Sequence, residues 1–534
     1  MGKIHTILEN AMIYDGSGAE PYKADLGISE DKIESIGPLQ HAECEQRINT
    51  EGMAVAPGFI DLHTHSDFTI VVNGNAESQV HQGVTTEAVG QCGHSVAPLR
   101  HKDEIAREAI GYVSGSEGLN WQSFGEYLDH LEQMDLGVNV AAFVGHGTVH
   151  QTVMGNSLRV PDPEEVGQMA NLVHEAMEQG AAGFSTGLES WPGSQASAEH
   201  IAPLCKVAAD HDRLYATHVR NRDRYYDLGF GEAMATARIA GCRLQISHIQ
   251  PKYGAPPHAM EHSLEMIESS KKYGLDVAFD IIPHDWSHIP VMMILPKWVL
   301  EGGDEKITER LKDPRQRERI KENKNPMWLL VADRVWSKIV LLYSKENSDL
   351  IGETFADIGK YRGVDPYDLV FDLLLEEGPG MHQLMWTSQS FLKSDLELCL
   401  GQSECAIISD TRALAPYGAL ADRLGSLSGY GWTSEFLSYY VKERNVLSLA
   451  EGIRRMTSLP AKRLGLRNRG LLQVGLQADI VVFDPNNVKS TWTVQKPRSY
   501  PKGFAHVFVN GKETIRQGQR LENNSGSVLR GPLS

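Results

Sequence analysis

The sequence predicts an α/β protein: a (β/α)8 TIM barrel with a small discontinuous β-sandwich built from its two ends. Three observations predict it. Eight apolar, β-leaning runs punctuate the middle of the chain, helical stretches fall between several of them, and short strand-like segments stand at both ends.

The eight runs are Ala56–Leu62, Val84–Val89, Val138–Val144, Ala181–Ser185, Arg213–Thr217, Arg243–Ser247, Leu275–Asp280 and Ala406–Ser409. Alternation of such runs with amphipathic stretches such as PEEVGQMANLVHEAMEQG implies a parallel sheet closed into a barrel. At the start, Ile4–Leu8, Ala24–Ile28 and Lys32–Ile36 read as short strands broken by DGSG and by the polar stretch at Glu30 and Asp31. At the end, QADIVVFDP and HVFVNGKET repeat the pattern, with a hairpin turn expected at Asn510-Gly511. The expected organisation is therefore 1–56 with 468–534 as the sandwich, and 57–467 as the barrel. Within the barrel, 286–344 is long and highly charged, too long for an ordinary loop. It reads either as a solvated helical excursion or as an insertion that covers the barrel mouth as a lid.

Length and composition agree. A chain of 534 residues exceeds the usual single core and suits a barrel with an added module. With 41% hydrophobic residues, the material for a large core is present. A formal net charge of −18 repels phosphate backbones, which excludes nucleic acid as an expected partner. No basic segment followed by an apolar one opens the chain, and no run of about 18 apolar residues occurs, so neither a secretion signal nor membrane association is expected. Cys44, Cys92, Cys205, Cys242, Cys399 and Cys405 are scattered without a CxxC pattern and read as thiols of a reducing compartment, with the cytoplasm as the expected location.

The chemistry lies at the strand ends. The first run ends in His63-Thr64-His65, the second in Cys92, the fifth in His218, the sixth in His248 and the eighth in Asp410. Barrel active sites form at the C-terminal ends of the strands, where side chains converge. Neutral imidazole and thiolate are good zinc ligands and carboxylate an acceptable one. Taken singly, each residue has a plainer reading: a hydrogen-bonded strand-end histidine, a small buried thiol, an aspartate capping a turn. Six ligand-type residues at five of eight strand ends point instead to a metal centre. Six ligands exceed one tetrahedral site, so two adjacent sites are expected.

PGFIDLHTHSD resembles the first-strand signature of the amidohydrolase superfamily, the metal-dependent hydrolase type of barrel. Within it, GVTTEAVGQCG, AFVGHGTVHQTVMG, GAAGFSTGLESWPG, YATHVRN, ISH, IISD and MTSLPAKRLGLRNRGLLQVGLQADIVVFDP resemble the N-acyl-D-amino-acid deacylases, in order along nearly the whole chain. Many two-metal relatives bridge their ions with a carboxylated lysine on the fourth strand, but AAGFSTGL holds no lysine. The deacylases bring a cysteine from the second strand instead, and Cys92 stands there. The resemblance implies that Cys92, His218 and His248 hold a tight Zn2+, that His63, His65 and Asp410 form a weaker second site, and that Asp410 acts as general base. The implied reaction is zinc-dependent hydrolysis of the amide bond of an N-acyl amino acid, a small-molecule substrate, with the D form preferred.

The substrate-binding motifs depart from that pattern. Gln250 stands where the family has a lysine, with Lys252 two residues later. His284 in IIPHDW takes the place of a tyrosine. Arg412 follows Asp410 without the usual HPR. Lys252 and Arg412 are the expected partners of a substrate carboxylate, and His284 an expected hydrogen-bonding group. Two other readings share these residues: hydrolysis of a different amide, such as a dipeptide, and a binding protein of the same fold without catalysis.

Overall fold

The computed structural model describes residues 3–99, 120–155, 157, 159–300, 302–323, 327–421 and 427–531. Its centre is an eight-stranded parallel sheet of β1 (Phe59–Asp61), β2 (Val84–Val89), β3 (Asn139–Gly145), β4 (Gly183–Gly187), β5 (Leu214–His218), β6 (Arg243–Ile246), β7 (Val277–Ile281) and β8 (Cys405–Ile407), paired in chain order. The ring closes just beyond the strand ends. Thr64 and Thr411 form a parallel bridge, the Asp410 amide donates to the His63 carbonyl at 3.1 Å, and the His65 amide donates to Thr411 at 2.7 Å. The segments that carry the first and last expected ligands are thus tied through the backbone. All eight expected runs supply one strand each, in the expected order.

The strands are buried almost throughout, as parallel strands covered by helices must be. The covering helices carry their own start signals. Pro163–Glu178 begins at Asp162, whose side chain accepts from the Glu165 amide while Glu165 reaches back, with proline at the first position. Its buried residues Met169, Val173, Ala176 and Met177 fall at helical spacing on the face toward the barrel.

The two chain ends meet in one nine-stranded sheet, joined where Ala54–Pro57 pairs antiparallel with Ile480–Phe483. A bridge from Lys32 to Gln477 draws its far edge back, so that Leu8, Leu26, Ile33, Val55, Ile480 and Phe508 share one core. The expected hairpin at Asn510-Gly511 joins Phe504–Val509 to Lys512–Arg516, both turn residues having positive φ (45° and 77°). Asn139, at the start of β3, donates to Asp479 at 3.2 Å and accepts from Asn510 at 2.7 Å. This sheet therefore docks on the N-terminal side of the barrel and leaves the opposite mouth free.

The segment expected at 286–344 has a different extent. Trp286–Pro290 pairs with Met385–Gln389, which pairs with Val340–Tyr343. The excursion is a folded unit from Trp286 to Gln389 with its own core, including Val299, Leu330, Trp336, Phe371 and Trp386. Residues 301 and 324–326 of it lie outside the described residues. This is not a solvated excursion, because charged helices such as Pro314–Lys321 cover an apolar interior. Trp386 is fully buried, edge-on to Trp328 at 5.5 Å. Trp386→Ala is expected to cost about 3–5 kcal/mol in denaturant unfolding, the usual range for truncating a buried aromatic residue. A change below about 1 kcal/mol, the size of an ordinary substitution, would show that this core does not share the cooperative unfolding of the barrel.

Among the described residues, no helix is long and apolar enough to cross a membrane, and all six cysteines are free thiols.

Candidate metal centre

The mouth of the barrel gathers the six expected ligands. Cys92 Sγ lies 3.3 Å from His63 Nε2, 3.6 Å from His218 Nδ1 and 3.5 Å from His248 Nε2. Asp410 Oδ1 lies 3.4 Å from His63 Nε2 and 3.3 Å from His65 Nε2. Two overlapping sets of donors result: Cys92 with His218 and His248, and His63 and His65 with Cys92 and Asp410.

These spacings test the metal reading. Zinc bonds of about 2.3 Å to sulfur and about 2.0–2.1 Å to nitrogen, at tetrahedral angles, place the two donor atoms about 3.5 Å apart. Nitrogen and oxygen donors come out near 3.4 Å by the same geometry. The observed edges match both, so the residues present suit a zinc ion.

Local backbone aims the side chains. Cys92, His248 and Asp410 all have positive φ (52°, 34° and 50°), a region that non-glycine residues rarely occupy. Each sits in the turn just past its strand, where the left-handed conformation swings the side chain over the barrel axis. Such strain concentrates at functional sites. Strand β4 contributes space instead of a ligand. A Cβ on Gly187 would lie 2.1 Å from the Cys92 carbonyl, so glycine there lets the Cys92 turn settle against the strand end.

Electrostatics favour a cation at this point. Burial opposes ionisation of the Cys92 thiol, but the His63 charge and hydrogen bonds from His218, His248 and His63 bring it well below its usual range. Burial likewise opposes the Asp410 carboxylate, and the His248, His63 and His65 side chains overcome it. In return, and against burial, Asp410 and Cys92 hold His65 at about 9. Two half-buried anions thus gather positive charge, the role a dication would take over.

The supporting residues were not identified from the sequence. Glu189, just after β4, accepts from His218 Nε2 at 2.8 Å and so leaves Nδ1 facing Cys92. Asp280 on β7 accepts from the His248 amide at 2.6 Å and from Gln245 at 2.8 Å. Arg222 donates to the His248 carbonyl at 2.6 Å. Asp61 accepts from the amides of His63 and Ser409 at 3.3 and 3.2 Å, tying β1 to β8 under the site.

Of the three expected substrate contacts, one remains open to solvent-borne ligands. The Lys252 side chain is 1% exposed, and its ammonium is engaged by Glu189, by Asp223 at 3.5 Å and by the Met327 carbonyl at 2.7 Å. With its donors taken by protein groups, it is not available as a carboxylate anchor. His284 is also internally satisfied: Nδ1 accepts from the Trp286 amide at 3.3 Å and Nε2 contacts Ser428 Oγ at 2.5 Å. Through the Trp286 amide it caps the start of the inserted unit. Arg412 is half-buried, its charge acts on Asp67 and His288, and its Nε has no partner among the described residues.

The inserted unit lies against this face of the barrel. His288 Nε2 hydrogen-bonds the Asp410 carbonyl at 3.0 Å, and Lys297 bonds Ser194 in the loop after β4. Asp410, His65 and His218 keep 19%, 17% and 13% of their side-chain surface, against 1% for His63, so the centre opens on their side.

Similar proteins share the whole length. A D-aminoacylase of Alcaligenes xylosoxydans xylosoxydans is 29% identical, covering 98% of this chain and 97% of its own. An N-acyl-D-glutamate deacylase of the same organism is 28% identical, over 99% and 97%. The solved N-acyl-D-glutamate deacylase of Bordetella bronchiseptica, complexed with zinc and a phosphonate that mimics the tetrahedral intermediate, superposes with a TM-score of 0.83 at 28% identity, over 99% of this chain and 100% of that one. A solved D-aminoacylase, described by one-metal activation and second-metal attenuation of a binuclear centre, gives 0.81 at 26%, over 99% and 100%. The amidohydrolase family model matches residues 46–279 and 398–519, which leaves out the inserted unit and takes in all six expected ligand positions. Barrel, ligand set and family model coincide: the chain belongs to the amidohydrolase family.

Proposed function

We propose that the protein hydrolyses the amide bond of N-acyl amino acids, with the D form preferred, using zinc held tightly by Cys92, His218 and His248 and a second, weaker position at His63, His65 and Asp410. The observation that carries this reading is the Cys92 cluster, with sulfur-to-nitrogen edges of 3.3–3.6 Å that suit a zinc site. The D preference rests on the relatives. A zinc ion bound there would act as a Lewis acid on the amide carbonyl and ease deprotonation of the attacking water.

The chain's own residues supply the rest. Asp410 stands at the open side of the cluster, where its carboxylate can accept the proton of the attacking water and then deliver it to the leaving nitrogen. His63 and His65 hold that carboxylate in place. Glu189 and Asp280 orient His218 and the His248 segment, so that little reorganisation accompanies the reaction. The inserted unit, seated on Asp410 through His288, covers the mouth and limits the water that enters. Arg412, half-buried and two residues past Asp410, is the cation that would receive a substrate carboxylate and replace its lost hydration.

A hydrolysis screen of N-acetyl amino acids of both hands, with added zinc, tests the reading. Turnover of D acids above L acids is expected. Arg412→Met should raise KM for free acids about 10- to 100-fold, the worth of a charge-assisted hydrogen bond, and leave the matching carboxamides nearly unchanged. Equal loss on both substrate types would remove Arg412 as the anchor. A wild type that prefers L isomers or carboxamides would remove the deacylase assignment in favour of another amide.

A further inference from the structure

One buried cation joins the inserted unit to a residue of the metal cluster. Lys252, on the loop after β6, pairs with Glu189 and Asp223 of the barrel and donates to the carbonyl of Met327 in the insertion. Its ammonium also lies 4.6 Å from the ring centroid of Trp328, and Trp328 packs edge-on to Trp386 in the insertion core. On the other side, Glu189 holds His218 Nε2, and His218 Nδ1 faces Cys92. A continuous chain of contacts runs from Trp386 through Trp328, Lys252, Glu189 and His218 to Cys92.

We propose that Lys252 is a positioning residue that couples the seating of the inserted unit to the orientation of His218, so that metal binding and closure of the insertion reinforce each other. The physical reason is the cost of burying an ammonium. Such a group is tolerated only when its donors are satisfied. Here the partners come from two bodies: carboxylates from the barrel, and a carbonyl and an aromatic face from the insertion. When the insertion lifts, Lys252 loses two of these partners and turns toward water, and Glu189 loses the cation that fixes it against His218. When His218 is held by a metal, Glu189 and Lys252 are held in turn, and the seat for Met327 and Trp328 is ready made. Coupling of this kind is reciprocal: whatever the insertion does for metal affinity, metal does for the insertion.

The inference rests on the metal reading of the cluster, and the test separates the two. Zinc affinity is measured by chelator competition, and trypsin cleavage within 297–340 is followed with and without zinc, in wild type, Lys252→Met and Trp328→Ala. Zinc should slow cleavage of the wild-type insertion. Trp328→Ala, which touches no ligand, should weaken zinc binding about tenfold, within the usual range of such couplings. Lys252→Met should abolish the protection by zinc. The coupling is overturned if Trp328→Ala binds zinc within twofold of wild type, or if zinc protects Lys252→Met as well as it protects wild type. Should Lys252→Met fail to fold, the affinity of Trp328→Ala decides alone. Wild type that takes up no zinc overturns the metal reading itself, and this inference with it.

Discussion

Asp410→Asn is expected to fold normally and to lose most of its turnover, about 10²- to 10⁴-fold in kcat, the usual worth of a general base. The fold should survive because the backbone of Asp410 does the structural work. Its amide bonds His63 and its carbonyl receives His288, and both contacts are independent of the side chain. Asparagine keeps the size of the side chain and removes its capacity to take a proton. His63 and His65 lose their shared carboxylate, so the weaker metal position should empty while the Cys92 position stays filled. Three measurements check this: kcat on the best substrate from the screen, zinc per chain, and the thermal midpoint. Near-normal turnover at an unchanged midpoint would return Asp410 to the role of a turn cap, and the proton would need another carrier. Loss of all zinc would show that the two positions are not separable.

How far the sequence carried the fold depended on whether each signal was local. The eight barrel strands are local signals, short apolar runs that end in glycine or polar residues, and each expected run overlaps its observed strand. Phe59–Asp61 is only part of Ala56–Leu62, because Ala54–Pro57 pairs in the terminal sheet, and Cys405–Ile407 begins one residue before Ala406–Ser409 and stops two short of its end. The inserted unit shows the opposite case. Its end was misplaced by 45 residues, from 344 to 389, because the strand Met385–Gln389 belongs with Trp286–Pro290 through antiparallel pairing about a hundred residues apart. Nothing within LMWTSQS distinguishes an insertion strand from a barrel strand. The family model does, since it stops at residue 279 and resumes at 398.

The site divides along the same line. The convergence of the strand-end histidines, Cys92 and Asp410 is legible because strand geometry and barrel topology together dictate where such residues meet. Lys252 and His284 lie in loops, where no periodicity fixes direction, and chain proximity to His248 or to β7 proved a poor guide to where the nitrogen atoms point. Glu189 and Asp280 escaped notice for a related reason. A carboxylate in GLESWPG or at the end of VAFDI looks like any turn or strand-end acid, and its value lies in a hydrogen bond to a residue far along the chain. Acidic residues at or just past the ends of barrel strands are the signal that could have found them. Burial pushes Asp61 up to about 7 and Asp280 to about 6, against the hydrogen bonds that each accepts.

Cys92→Ala is expected to remove the tightly held metal and with it nearly all activity. Cys92 Sγ is the atom shared by both donor sets, within 3.6 Å of three imidazole nitrogens. Losing an outer hydrogen bond to a metal ligand typically costs about 10- to 100-fold in affinity, so removing the shared ligand itself should exceed about 100-fold. Alanine also leaves His63, His218 and His248 facing one another without an anion between them, which discourages a cation further. A pure packing role predicts something else. Exchange of a small, half-buried thiol for a methyl group would cost little more than an ordinary substitution, about 1 kcal/mol, and leave zinc untouched. Elemental analysis, chelator competition and a thermal melt on the same preparation distinguish the two. Zinc lost with the midpoint of the metal-free protein unchanged is the expected result. Full zinc and full rate would make Cys92 a core thiol, and the metal would have to be held by the histidines and Asp410 without it.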